Sequence, residues 1–190
     1  MPYMIWALYK KGSNTFNERN IMVANILVLP LNNKDAKWAK ELWERNWSDD
    51  IVVSRGKIHH IQDLSGLIAR ISNGDAEPIG LLTYTLSDNQ LEIVTLDSIM
   101  EGVGIGTALI NECIQIAKKN HCDRVWLVTT NDNTEALRFY QRRGFAIHMV
   151  HKEAISESRK LKPKIPHIGN HGIPIRDEIE LEYVLSPPSD

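Results

Sequence analysis

Three glycines at alternate positions, Gly102, Gly104 and Gly106, stand directly before an apolar-periodic run in "EGVGIGTALINECIQIAKK". Glycine lets a backbone approach a ligand closely. A helix start offers unpaired N–H groups and a partial positive charge, so anions settle there. The chemistry of such a loop is the holding of phosphate. Two nucleotide loops are ruled out by their letters. A Walker loop ends in Gly-Lys-Ser/Thr, and "GVGIGTA" has no lysine. A dinucleotide fingerprint puts its third glycine where this chain has Thr107. Read alone, the glycines also suit a tight strand-to-helix turn without a ligand.

A second cluster follows about 27 residues after Gly106: Asn133, Ala136, Tyr140, Gly144 and Phe145. The two clusters together resemble those of the GCN5-related N-acetyltransferases, the GNAT superfamily. That family's acetyl-CoA loop runs Arg/Gln-x-x-Gly-x-Gly/Ala, and here it reads Glu101-Gly102-Val103-Gly104-Ile105-Gly106. Its second motif, Asn-x-x-Ala-x-x-x-Tyr-x-x-x-Gly-Phe, is matched in full. The resemblance spans residues 25–150 in element order, and a last strand at 179–185 completes it. Glu101 is the departure. A carboxylate repels a pyrophosphate by about 1 kcal/mol at 4 Å in water, so its side chain is expected to turn outward.

The resemblance implies acetyl-CoA as cosubstrate, no metal, and direct acetyl transfer to a primary amine of a small molecule or peptide. The pyrophosphate would rest on the backbone of Gly102, Val103, Gly104, Ile105, Gly106 and Thr107. The strand before the loop, through residues such as Leu96 and Ile99, would lend backbone groups to the pantetheine arm. One N–H there would stabilise the tetrahedral oxyanion. Asn133 and Ala136 would lie along the same arm, and Asn133 also suits a helix N-cap. Tyr140 would protonate the departing thiolate, since a phenol needs no prior ionisation to act as an acid. Its spacing from Ala136 and Phe139 equally suits the core. Candidates for the base are Glu92, Asp97, His59, His60 and the Asp177-Glu178 pair, of which Asp97 and Glu178 are the two assigned, with a base acting through water as the alternative. A non-catalytic acyl-CoA sensor of the same fold is the competing reading.

The elements that must position these groups alternate along the chain. "ANILVLPL" reads as a strand, and Asn33 is placed to cap a helix over "KDAKWAKELWERNW". "DIVVSRG" reads as a strand. Strands at 66–72, 78–86 and 91–99 are separated by the turn sequences Asn73-Gly74 and Ser87-Asp88-Asn89, which favours antiparallel pairing. A helix over 105–119, a doubly covered strand at 124–130 and a helix from Thr134 to Arg143 follow, the last ended by Gly144. Then come a strand at "AIHMVHKE", a short helix at "ISESRKLK", a Pro/Gly-rich loop over 163–178 and the closing strand. The fold class is mixed α/β in one GNAT-type domain. Its mostly antiparallel sheet is flanked by helices, with a parallel strand pair splayed at the acetyl-CoA site.

Residues 22–190 form that domain and 1–21 an N-terminal extension outside the fold argument. Residues 154–178 are an insertion before the last strand, expected to cover the acceptor site or a homodimer contact. At 190 residues, 43% apolar and 24% charged, the chain has room for a substantial core. A net charge of −2 gives no basic footprint for nucleic acid. No stretch reaches the ~20 apolar residues of a membrane span, and the start lacks the layout of a signal peptide. Cys113 and Cys122 form no disulfide framework, which points to a reducing cytoplasm. His59, His60, His167 and His171 lack the three or four ligands in register that zinc requires. Trp38, Trp43 and Trp47 are read as core and cleft-wall aromatics.

Overall fold

The computed structural model describes residues 7–8, 26–47, 51–71 and 77–185. In chain order the elements are β1 (Ala7–Leu8), β2 (Ile26–Pro30), α1 (Ala36–Trp47), β3 (Ile51–Ser54), β4 (Lys57–His60), β5 (Ser65–Ile71), β6 (Gly80–Ser87) and β7 (Gln90–Ser98). There follow α2 (Ile105–Lys119), β8 (Arg124–Thr130), α3 (Thr134–Gln141), β9 (Ala146–His151), α4 (Ala154–Leu161) and β10 (Glu178–Val184). Seven strands form one sheet in the order β2-β5-β6-β7-β8-β10-β9. Every neighbouring pair on that path is antiparallel except β7 and β8, which run parallel.

The parallel pair is short. Pairing starts at Gln90↔Arg124 and stops at Ile93↔Leu127, so Val94–Ser98 and Val128–Thr130 diverge and leave a wedge between them. A bulge sits at the apex, because Thr83 faces Thr95 while Tyr84 faces Ile93. Val94 is the extra residue. Without it, side-chain alternation would put Glu92 and Thr95 on opposite faces of the sheet. With it, Glu92, Thr95 and Asp97 share one face with Trp126, Val128 and Thr130 of β8 and with Glu178, Glu180 and Glu182 of β10. The Thr83 and Thr95 hydroxyls, 2.7 Å apart, confirm that register.

The opposite face carries Gly80, Leu82, Tyr84, Leu91, Ile93 and Leu96, and α2 covers it. Gly80 permits the approach: a Cβ there would stand 2.4 Å from Ile105 Cγ2. α3 packs beside α2, with the Phe139 ring against Gly106. The acidic face is covered by α1, whose Ala39 and Leu42 pack on Ile68 and Leu81, and by the β3–β4 hairpin. That hairpin turns at Arg55-Gly56, both with positive φ, as a two-residue turn matched to strand twist requires. β1 pairs in parallel with Asp97–Ser98. β6 already occupies the other edge of those residues, so Ala7–Leu8 lie on the wedge side.

Most elements lie where the sequence puts them, with three differences. Asn33 does not cap α1; Asn32 Oδ1 accepts from the Lys34 amide, and the first helical carbonyl is that of Asp35. "KIHH" pairs back on "IVVS" as a hairpin, where only the first strand was expected. α3 ends at Gln141 rather than Arg143. The Asn73-Gly74 turn and all but two residues of the 1–21 extension lie outside the described residues. The segment before β10 is pinned to the end of β8. Asn131 Oδ1 accepts from the amides of Arg176 and Asp177, and Asp132 Oδ2 accepts from that of Asn170. Gly169 fits there because a Cβ would sit 2.1 Å from that carboxylate oxygen. Cys113 and Cys122 are buried free thiols, and Trp43 and Trp47 are in the core.

Candidate functional site

The glycine loop joins the wedge strand β7 to α2. Gly102 and Gly104 take φ of +76° and +91°, conformations that cost other residues ~1–2 kcal/mol. Gly104 is the residue before the first helical turn, and its carbonyl accepts from Ala108. The amides of Ile105, Gly106 and Thr107 therefore have no partner inside the helix. Such free amides at a helix start are donors available to an anion. Glu101 is exposed, as expected of a carboxylate there. Val103 and Thr107 are half-buried, and Ile105 is in the core. Leu96 turns its side chain into the core, so only its backbone faces the wedge. The Ile99 amide already donates to the Ile79 carbonyl at 3.0 Å.

One basic group at this end was not found from sequence. Arg143 reaches back from the residues after α3 and donates from Nε and Nη2 to Thr107 Oγ1, at 3.0 and 2.5 Å. Its Nη1 donates to the Phe139 carbonyl at 2.7 Å, and the guanidinium lies 3.5 Å over the Phe139 ring. Burial and Arg142 hold its pKa below the usual arginine value. The pairing spans 36 residues, which no local spacing encodes.

Asn133 caps α3, its Oδ1 accepting from the buried Ala136 amide at 3.2 Å. Tyr140 is fully buried between Phe139 and Phe145, with ring centroids 5.1 and 5.5 Å away, both edge-on. Its hydroxyl has no hydrogen-bond partner among the described residues. Burial, with the nearby Asp97 carboxylate, pushes the phenol well above its ordinary value. The proton therefore stays on the oxygen throughout the physiological range.

Asp97 is fully buried at the mouth of the wedge. Asn46 Nδ2 donates to one of its oxygens at 2.9 Å and Trp47 Nε1 to the other at 3.3 Å. Burial raises its pKa from 3.8 to about 6, and those two donors only partly offset this. A raised carboxyl contributes stability while protonated and loses it as pH climbs from about 4 through about 6. The two-unit shift corresponds to about 3 kcal/mol. Asp97→Asn retains an acceptor and cannot ionise, so urea unfolding at pH 4 and pH 7 should show a smaller loss than wild type. Equal losses in the two proteins would refute the linkage.

Glu178 is fully buried and its oxygens are also engaged, Oε1 by the Ser158 hydroxyl at 2.8 Å and Oε2 by the Arg55 amide at 3.3 Å. Glu92 differs. Among the described residues its Oε1 has no hydrogen-bond partner, and the His59 ring nitrogen Nε2 stands 3.6 Å away. Burial raises the Glu92 pKa, reinforced by Glu180 and Glu178; the nearby Ser54 hydroxyl and Lys57 oppose the rise. His60 is exposed, and the Asp177 carboxylate is engaged by the Glu153 amide and the Arg176 guanidinium, each at 2.9 Å, with Arg176 holding it below the usual carboxylate range. Among the described residues no group of three or more His, Cys, Asp or Glu is arranged to hold a metal ion.

Sequence comparison gives the family to which this splayed pair, apical bulge and glycine loop belong. Residues 33–145 match the Acetyltransferase (GNAT) family. The chain belongs to that family. YdhI of Bacillus subtilis (strain 168), an uncharacterised protein, is 38% identical over 161 residues, 84% of this chain and 99% of that protein. The IAA acetyltransferase of Bacillus cereus ATCC 14579 has the same fold, with a TM-score of 0.64 at 21% identity over 85% of this chain and 100% of the other. A Bacillus subtilis acetyltransferase solved with CoA superposes at 0.58, 20% identical over 86% of this chain and 99% of that one.

Proposed function

We propose that this GNAT protein is an acetyl-CoA-dependent N-acetyltransferase that transfers the acetyl group directly to a primary amine. The observation that carries the reading is the wedge between β7 and β8, which opens onto both the glycine loop and the row of buried carboxylates. The CoA pyrophosphate lies on the amides of residues 102–107. The pantetheine arm runs along the edge of β7 that β8 leaves open beyond Ile93, over Val94–Leu96 and short of the Asp97–Ser98 pairing with β1, close to Asn133 and Ala136. A backbone N–H of β7 near the bulge stabilises the oxyanion as the amine nitrogen bonds to the thioester carbon. The C–S bond then breaks, and Tyr140 gives its proton to the departing thiolate. The amine's proton passes to a carboxylate of the acidic face. Asp97 and Glu178, assigned from sequence, have both oxygens engaged by donors, while Glu92 Oε1 has no hydrogen-bond partner among the described residues.

Arg143 supplies the positive charge that Glu101 denies the loop. It holds Thr107 at the first turn of α2 and places a guanidinium beside the anion. Arg143→Gln is expected to weaken acetyl-CoA binding by about tenfold, on the order of 1.4 kcal/mol, and to lessen its dependence on salt. Calorimetric titration at two ionic strengths checks both. Unchanged affinity would remove Arg143 from the site.

The segment 154–178 shapes the acceptor side through Ser158 on Glu178 and through Lys162, whose Nζ donates to the Ile51 carbonyl at 2.6 Å. Deleting 156–175 is expected to abolish acceptor selectivity or dimerisation. The whole reading is tested by free-thiol release from acetyl-CoA against a panel of amines.

A further inference from the structure

β9 is the last strand of the sheet, and among the described residues it pairs with β10 alone. Its outer edge therefore presents a row of backbone N–H and C=O groups to solvent. Its side chains are open as well. Ala146 through Val150 are all exposed, Ile147 and Met149 at 49% and Val150 at 47%. Natural sheets blunt such an edge with charges, proline or a bulge. β2, at the opposite edge, ends on Pro30. β9, by contrast, reads "AIHMVH", with no proline, lysine, arginine or carboxylate. It does carry a bulge, and the bulge makes the strand complementary to itself.

Ala146 pairs with Glu182 and Ile147 with Leu181, but the next residue to find a partner is Met149, opposite Glu180. His148 is thus the extra residue. Its Nδ1 stands 2.9 Å from Glu182 Oε1, which places it on the acidic face, and His151 Nε2 stands 3.1 Å from Glu180 Oε2 on that same face. Ala146, His148, Met149 and His151 share the acidic face, while Ile147 and Val150 take the other, beside Leu181 and Ile179. The order of faces is the same read from either end. A two-fold axis normal to a sheet runs two copies of a strand antiparallel and keeps like faces together. Set between His148 and Met149, that axis pairs Ala146 with His151, Ile147 with Val150 and His148 with Met149. Every pair then has its two side chains on one face. Strict alternation without the bulge would set opposite faces against each other in this register.

We infer that β9 is the surface through which two copies of this chain associate, edge to edge and antiparallel, so that their sheets become one. The occupant is a second copy because the face order of β9 is its own complement. Ile147 of each copy meets Val150 of the other, which covers the exposed apolar side chains of the helix-bearing face twice over. No like charges meet across the contact. Each histidine lies opposite Met149 or Ala146 and is already turned toward a carboxylate of its own β10. β10 and β8 separate β9 from the wedge, so the contact leaves the wedge open. The inference is independent of the acetyl-transfer reading.

The test is sedimentation equilibrium of the full chain over a concentration series, run on the wild type, on Ile147→Lys, on Val150→Glu and on an equimolar mixture of the two variants. The wild type is expected to show a reversible monomer–dimer equilibrium. Each variant alone sets a charge against an apolar side chain at both ends of the contact and should weaken dimerisation by about tenfold or more. In the mixed dimer the two new charges face each other, and the unaltered Ile147 and Val150 still meet at the other end. The mixture should therefore dimerise with close to wild-type affinity. That rescue depends on the register and also shows that both variants fold. A wild type monomeric at every concentration, a variant that dimerises as the wild type does, or a mixture no tighter than its components would overturn the proposal.

Discussion

Gly104→Glu is expected to lower acetyl-CoA affinity by about a hundredfold or more. Two effects are combined there, and a second variant separates them. Gly104 has φ +91°, so any side chain with a Cβ is strained by ~1–2 kcal/mol. Among the described residues there is room for the side chain, the one neighbour within 4 Å being Ile26 Cδ1 at 3.9 Å. The second effect is charge: a carboxylate about 4 Å from a pyrophosphate charge costs on the order of 4 kcal/mol at an effective dielectric near 20. Gly104→Asn tests the backbone alone, because asparagine tolerates the left-handed region. Calorimetry should rank affinities as wild type, then Gly104→Asn, then Gly104→Glu far below. If Glu and Asn bind alike, the anion does not sit at this loop.

Tyr140→Phe is expected to reduce turnover by about a hundredfold or more, the usual contribution of a positioned general acid. It should do so without destabilising the protein. The Tyr140 hydroxyl is buried with no partner among the described residues, and removing such a group relieves a desolvation cost of ~1–3 kcal/mol. The melting temperature should therefore hold or rise while turnover collapses. A purely packing role predicts no kinetic effect. The raised phenol pKa is compatible with the role, because a thiolate formed in the same dry site is raised too. The nearby Cys113 thiol moves the same way, pushed far above its ordinary value chiefly by burial.

The parts of the fold legible in the sequence were those with local causes. α2 runs from Ile105 to Lys119 and β8 from Arg124 to Thr130, as periodicity and apolar runs indicate. Asn133 caps α3 because its side chain needs to reach only three residues ahead. The positive φ of Gly102 and Gly104 follows from residue type. What was hidden depends on contacts between distant segments. "KIHH" carries no strand signal of its own and becomes a strand by pairing with "IVVS". Asp97 read as a free carboxylate, but it accepts from Asn46 and Trp47, 51 and 50 residues away. Glu92 acquires its surroundings from a hairpin on one side and β10 on the other. The bulge at Val94 that unites these side chains has no marker in "LEIVTLDS". The charge deficit at Glu101 was legible, whereas its remedy in Arg143 appears only once α3 is folded against α2.

The central claim is that the wedge performs acetyl transfer to an amine and does not merely bind the cosubstrate. Initial rates of free-thiol release from acetyl-CoA, measured with and without primary amines, test it most directly. The account predicts saturable, amine-dependent release, with one acetylated amine formed for each thiol. Tight acetyl-CoA binding with no amine-dependent release would contradict it and make the protein a sensor built on the same fold.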